Sequence, residues 1–215
     1  MTSNYDNTNS TSTFIQIKNE IDSYNPEVKA LIFDCDGTLV DSMPLHMIAW
    51  EKAFAQFGEY FDRDLLFSLK GMKETEIIDV YNSKYRSSIN NNKIVLAKHN
   101  YFMQHIESVK PIEPIVEIAK SYFNKIPLAV VSGSVKIIVL AELNVLKIFQ
   151  LFDFILTADD PFKPKPSPDI FIAAANMMKL KPEFCLVLED GDAGLEAASK
   201  AGMKMIDIRN YIKPE

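Results

Sequence analysis

The stretch Ala30-Leu31-Ile32-Phe33-Asp34-Cys35-Asp36-Gly37-Thr38 decides how the rest of the chain is read. Its first four residues form an apolar run suited to a strand buried on both faces of a parallel sheet, so the two aspartates arrive at the strand's C-terminal tip. Side chains two apart on extended backbone point the same way. Asp34 and Asp36 can therefore reach one site, and Gly37 supplies permissive backbone for the turn that follows. Two carboxylates that close call for a cation. A hard divalent ion with oxygen ligands, Mg2+ where phosphate is handled, would hold both and neutralise an incoming phosphate. Taken alone, DCDGT is also compatible with a plain polar turn. It is not an EF-hand loop, which needs glycine at its sixth position, an acidic or amide ligand at its fifth and a helix before it. Here the glycine is fourth, Thr38 is fifth and a strand precedes.

Downstream from Pro111 the pattern alternates between helix and strand. Helices over 112–124, 134–147, 168–179 and 192–201 lead to strands over 127–132, 153–157, 184–189 and 203–208. Short buried strands joined by helical crossovers give an α/β fold with a doubly wound parallel sheet, whose ligand site lies beyond the carboxyl ends of the strands. Between the first strand and this region the spacing is helical throughout. Asp41, Ser42 and Pro44 start a helix carrying Met47, Trp50, Phe54 and Phe57, and helices follow over 62–70, 73–86 and 91–108. The expected division is a core of 28–42 and 109–215 with an all-helical cap of 43–108 inserted on hinges near 41–44 and 109–112. Residues 1–27 are expected to be a mobile tail to residue 13, rich in Asn, Ser and Thr, then a short helix bearing Phe14, Ile17, Ile21 and Tyr24 and ending at Pro26.

Composition limits what such a fold is used for. With 215 residues, 47% hydrophobic and 24% charged, the chain is ordinary for a soluble globular protein. No apolar run approaches the ~18 residues of a membrane span, and no signal-peptide pattern opens the chain, so a cytoplasmic protein without a membrane partner is expected. A net charge of −6 without a basic stripe argues against nucleic acid. A monomer is expected, and Cys35 and Cys185 read as reduced packing residues.

The predicted topology brings four candidates to one edge of the sheet. Asp34 and Asp36 end the first strand, Ser132 ends the second, Lys165 follows the third, and Glu189 with Asp190 ends the fourth. Each has a plainer reading. Ser132 could be a helix N-cap, though its hydroxyl and the Ser132-Gly133-Ser134 amides also suit a phosphate cradle. The segment Lys163-Pro164-Lys165-Pro166-Ser167-Pro168-Asp169 could be a stiff loop, with Ser167 as N-cap and Pro168 as the first helical residue, but a lysine between prolines is a positioned cation. Glu189 and Asp190 could be a solvated strand end, yet they complete the oxygen ligands a metal at Asp34 needs.

The four motifs DCDGT, VVSGS, KPSPD and LEDGDAG, in this order, resemble those of the haloacid dehalogenase superfamily of phosphotransferases over nearly all of residues 28–208. The resemblance implies a Rossmann-like core with the cap type of the beta-phosphoglucomutase-like branch. Leu45-His46, Ala201-Gly202-Met203 and Asp207-Ile208-Arg209 are similar to the fructose-1-phosphate type of sugar phosphatase within it. Asp34 is then implied as nucleophile, Asp36 as general acid and base, and Ser132 and Lys165 as holders of the phosphoryl oxygens. Mg2+ is implied on Asp34, the main-chain carbonyl of Asp36, Asp190, and Glu189 directly or through water. Thr38, His46, Gly71, Lys73, Lys98, Gly133 and Ser134 are implied contacts of a small phosphorylated sugar. His46 is equally readable as a helix-surface histidine. The implied activity is phosphate-ester hydrolysis, with a phosphohexomutase and a non-catalytic binder of phosphorylated metabolites as the alternatives. Mutases of this branch carry an arginine in the cap loop, where Gly71-Met72-Lys73-Glu74 places an acid.

Overall fold

The computed structural model describes residues 7–69 and 73–212. Helix α1 (Asn7–Ser23) precedes the central strand β1 (Ala30–Phe33), and a short strand β2 (Val40–Asp41) follows. Four helices come next, α2 (Met43–Gln56), α3 (Arg63–Ser68), α4 (Glu74–Tyr85) and α5 (Asn91–Gln104), before strand β3 (Lys110–Pro111). Alternation then runs α6 (Glu113–Tyr122), β4 (Leu128–Val131), α7 (Lys136–Val145), β5 (Phe154–Leu156), α8 (Asp169–Met177), β6 (Cys185–Glu189), α9 (Asp192–Lys200) and β7 (Lys204–Asp207).

The main sheet has the order β5-β4-β1-β6-β7, parallel throughout. Strand β1 is central because its run has no polar face to offer solvent. Leu31 and Phe33 enter the core shared with α1, α6 and α7, while Ala30 and Ile32 enter the opposite core under α8 and α9. The chain lays β4 and β5 on one side of β1 and β6 and β7 on the other, which opens a crevice at the C-terminal edge around β1.

Two connections join β1 and α6 to the helical unit, and they pair with each other as the antiparallel β2–β3 ladder, Val40 opposite Pro111 and Asp41 opposite Lys110. This pairing was not expected from the sequence, because two-residue strands carry no periodicity. Helices α2 to α5 enclose their own apolar cluster around Trp50, Phe54, Ile78, Tyr81 and Ile94. Phe57, expected in that apolar stripe, is instead 37% exposed just beyond the end of α2.

The N-terminal expectation needs correction. The helix does not start near Phe14 but at Asn7, so residues 7–13 are helical and not a mobile tail, while residues 1–6 of that expected tail lie outside the described residues. The buried side chains of Ile17 and Ile21 dock the helix against α6. Once that stripe has nucleated the helix, each further turn adds hydrogen bonds at little cost, even through Asn, Ser and Thr. Asp22 accepts a hydrogen bond from the Tyr122 hydroxyl (2.7 Å), and Glu20 accepts one from Tyr211. Ile21→Ala is expected to lower the unfolding free energy by about 2–5 kcal/mol through the cavity it leaves. A urea midpoint indistinguishable from that of the parent would show that the helix is not docked in solution.

Candidate active site

The sheet ladder continues past the strand ends and aligns the site. The Asp34 amide donates to the Leu188 carbonyl (3.0 Å) and the Ser132 amide to the Leu156 carbonyl (2.9 Å), so the tips of β1, β4, β5 and β6 stay in register. The Cys35 carbonyl then accepts from the amides of Thr38, Leu39 and Val40, which curls the chain back within one turn. Gly37 takes φ +85, and a Cβ there would lie 2.5 Å from Asp190 Oδ2. Only glycine lets Asp190 lie under this loop.

Asp34 and Asp36 occupy different surroundings. The Lys165 ammonium donates to Asp34 Oδ1 (2.7 Å), to Glu189 Oε2 (2.8 Å) and to the Val131 carbonyl (3.0 Å). Burial opposes its charge, but Asp34 and Glu189 hold it protonated well above lysine's ordinary range. Glu189 Oε1 accepts from the amides of Asp190 (3.1 Å) and Gly191 (2.9 Å), so both of its oxygens are engaged. Asp34, Glu189 and Asp190 offer oxygens that all lie within 4.8 Å of one another. Burial first, and then the Glu189 charge, push the Asp34 carboxyl well above the ordinary carboxylate range against the pull of Lys165. Three carboxylates against one lysine leave surplus negative charge, and an all-oxygen set of this kind fits a hard divalent cation.

Asp36 meets three donor side chains. Its Oδ1 is 2.6 Å from the Ser42 hydroxyl and 2.8 Å from His46 Nε2, and its Oδ2 accepts from the Ser134 hydroxyl at 2.6 Å. Burial alone would raise its pKa, but the His46 interaction and these hydrogen bonds keep Asp36 well below the usual value. Burial, aided by the charge of Lys98, lowers His46. His46 is no helix-surface residue. It is buried and stacks on Phe102 with ring centroids 4.2 Å apart.

A cavity of about 480 Å³ joins these groups to the helical unit. Of the sequence-predicted residues, Asp34, Asp36, His46, Lys73, Lys98, Ser132, Gly133, Ser134, Lys165, Glu189 and Asp190 line it. Thr38 does not. It is fully buried, and its hydroxyl donates to Asp190 Oδ1 (3.2 Å), because the turn at Gly37 carries it beneath the loop. Gly71 lies outside the described residues. Lys98 is not a free cation: it is 1% exposed and its ammonium is 2.6 Å from Glu74 Oε1. Ser132 does not cap α7, since its hydroxyl oxygen accepts from the Ser134 amide (3.0 Å). The α8 start also shifts, with Pro168 at the cap position, Asp169 the first helical residue and the Ser167 hydroxyl on Asp169 Oδ1 (2.9 Å).

Sequence reasoning missed three residues. Ser42 was read only as part of a helix start, yet its hydroxyl serves Asp36. Glu142 is fully buried in α7, receives the Cys35 thiol at 3.4 Å and places an oxygen within 4.8 Å of Asp36 and His46. Burial pushes its carboxyl well above the ordinary range. An acid on the buried face of KIIVLAELNV was the available signal. Gly194 is the third, because a Cβ there would lie 1.9 Å from Glu189 Oε2.

The family signature of the haloacid dehalogenase-like hydrolases spans residues 31–208, the segment that carries all of these groups. The chain belongs to that family. Among its relatives, fructose-1-phosphate phosphatase YqaB of Escherichia coli is 33% identical over 180 residues, covering 83% of this chain and 95% of that one. Beta-phosphoglucomutase of Bacillus subtilis is 30% identical over 193 residues, covering 84% and 83% respectively. Among solved structures, CbbY from Rhodobacter sphaeroides in complex with phosphate is similar at a TM-score of 0.74 and 27% identity, covering 83% of this chain and 84% of that one.

Gly194→Ala tests the packing behind Glu189. A glycine-to-alanine change inside a helix ordinarily stabilises by about 1 kcal/mol. Here the added methyl must displace the Glu189 carboxylate or shift α9, so the melting temperature is expected to fall. A rise would show that Glu189 does not rest against α9.

Proposed function

We propose that this protein is a Mg2+-dependent phosphatase that hydrolyses a small sugar monophosphate through an aspartyl-phosphate on Asp34. The observation that carries the reading is the contrast between the two aspartates at one strand tip. One is locked by a lysine beside two further acids, and the other is held by Ser42, His46 and Ser134. Paired carboxyl groups in unlike environments can divide the roles of nucleophile and acid between them. The resting directions, Asp34 raised and Asp36 lowered, are the reverse of these roles, so a cation among the acids beside Asp34 would be needed to hold it ionised, and phosphate charge beside Asp36 to favour its protonated form.

In this reading the Asp34 carboxylate attacks phosphorus and the bond from phosphorus to the sugar oxygen breaks. The departing oxygen takes a proton from Asp36. Asp36 rests ionised, and the charge of an arriving phosphate dianion favours its taking up a proton from solvent before it acts as the acid. Ser132 and Lys165 hold the phosphoryl oxygens. A water molecule then attacks the aspartyl-phosphate while Asp36 takes its proton, which frees Asp34 and inorganic phosphate. Asp34, Asp190 and the main-chain carbonyl of Asp36, with Glu189 through water because both its oxygens are engaged, would hold Mg2+, whose charge offsets that of the phosphoryl group. Helices α2 to α5 act as a cap that excludes water over this centre, moving on the paired β2–β3 connections.

A mutase is the second reading, supported by the similarity to a beta-phosphoglucomutase. The ion pair between Lys98 and Glu74 weighs against it, since a mutase needs a cation to hold a second phosphate far from Asp34. A purely binding role would not require the nucleophile, acid and lysine together.

Asp34→Asn keeps the shape and removes the nucleophile, so phosphate release from sugar monophosphates is expected to fall by ~10⁴-fold or more. Stripping divalent ions should silence the parent enzyme, with Mg2+ restoring it. Undiminished turnover in either case would remove the mechanism. Supplied with beta-glucose 1-phosphate and a trace of glucose 1,6-bisphosphate, the protein is expected to release free phosphate faster than it forms glucose 6-phosphate. The reverse by tenfold, about 1.4 kcal/mol in favour of transfer to sugar, would make it a mutase.

A further inference from the structure

The helical unit lines the cavity shared with Asp34 with a charged cluster of its own. Glu74, in the first turn of α4, is gripped at both carboxylate oxygens. Lys98 Nζ lies 2.6 Å from Oε1 and His99 Nε2 lies 2.5 Å from Oε2, both from α5. The lysine is held from behind by aromatic faces, with its ammonium 5.7 Å from the Trp50 ring centroid and 5.4 Å from that of Phe102. Glu74, Lys98 and His99 all line the cavity that holds Asp34 and Asp36, amid the apolar side chains of Met47, Leu66 and Val95.

We propose that Glu74 is the specificity-determining acceptor for the substrate's distal hydroxyl groups, so that the site takes polyhydroxylated monophosphates and rejects those with a second phosphate at the far end. The inference rests on the phosphatase reading of the same site. A carboxylate offers about four acceptor positions, and two partners leave room for hydroxyl protons from a sugar. The side chain keeps 27% of its surface exposed while its two partners fix its orientation. Burial works against its charge, but Lys98 and His99 hold the Glu74 carboxyl down at about 2, so it is an ionised acceptor at neutral pH. A phosphate dianion has no proton to donate to the remaining acceptor positions of Glu74, and the Lys98 ammonium that could have held it is already engaged in the ion pair. Lys73, at the cavity's edge, is exposed and contributes only a screened point charge. A site with a few fixed polar groups in an apolar lining discriminates by the hydroxyls it satisfies.

The test uses the full chain with Mg2+, a panel of pentose and hexose monophosphates, the matching bisphosphates, and p-nitrophenyl phosphate, which has no distal hydroxyls. On the best monophosphate, kcat/KM is expected to exceed that on its bisphosphate by tenfold or more, about 1.4 kcal/mol. Glu74→Gln should lower kcat/KM for that monophosphate chiefly through KM, with a loss at least tenfold larger than on p-nitrophenyl phosphate. Because that change leaves a buried lysine without its counter-charge, the double variant Glu74→Gln with Lys98→Met is measured beside it and should show the same difference between substrates. Equal losses on both substrates in the two variants, or equal turnover of mono- and bisphosphate by the parent, would overturn the inference and leave the phosphatase reading intact. Failure of the parent to release phosphate from every compound would overturn the phosphatase reading and this inference with it.

Discussion

The Lys165 ammonium is the interaction on which the C-terminal edge of the sheet depends. Its three donors join the tip of β1 at Asp34, the tip of β4 at the Val131 carbonyl and the tip of β6 at Glu189. Lys165 is itself among the most buried charges of the molecule, with 9% of its side chain exposed. A charge in that position persists only when paired and hydrogen-bonded on every side, so the lysine and its two acids stabilise one another. Removing any one would leave an uncompensated charge among the others. The sheet order follows the same logic, since only a central β1 with β4 and β6 beside it lets one ammonium reach all three groups.

Around that lock the two aspartates are separated by chemistry more than by distance. Asp34 faces acids and a lysine, whereas Asp36 faces two hydroxyls and an imidazole, with the buried Glu142 as its one acidic neighbour in that cluster. The alternation of an extended strand brings both to one edge, and Gly37 then turns the chain so that Asp190 can approach from below. Thr38 belongs to this supporting layer through its bond to Asp190. Glu142 and the Cys35 thiol lie behind Asp36, an acid and a weak donor that fill space an apolar pair could have filled.

The helical unit is tied to the core through the same carboxylate. Ser42, just before α2, and His46, one turn into it, both reach Asp36, and His46 is stacked on Phe102 of α5. Any movement of α2 relative to the sheet must therefore exchange these hydrogen bonds. The β2–β3 ladder ties the two connections together, which restricts that movement to a common direction. The helical unit and the Asp36 carboxylate are thus mechanically adjacent.

The alternating helices and strands after Pro111 were legible because each strand is a short apolar run and each crossover helix carries its own periodicity. The meeting of DCDGT, VVSGS, KPSPD and LEDGDAG at one sheet edge was legible too, because parallel strands share a C-terminal end. Local pattern misled where a neighbour decided the outcome. Residues 7–13 are helical because Ile17 and Ile21 dock on α6, and Thr38 turns inward because Gly37 takes positive φ, while Ser42 starts α2 as expected but turns its hydroxyl to Asp36. The pairing of Glu74 with Lys98 and His99 spans 24 and 25 residues and exists only because α4 packs on α5. A sequence states which charges are present. Which of them meet is set by how α4 packs on α5, through the apolar cluster around Ile78 and Ile94 and through hydrogen bonds such as Asn91 to Asp79. That is why the family and its phosphate-ester chemistry could be read from the chain alone, while the partners of Glu74 had to wait for the fold.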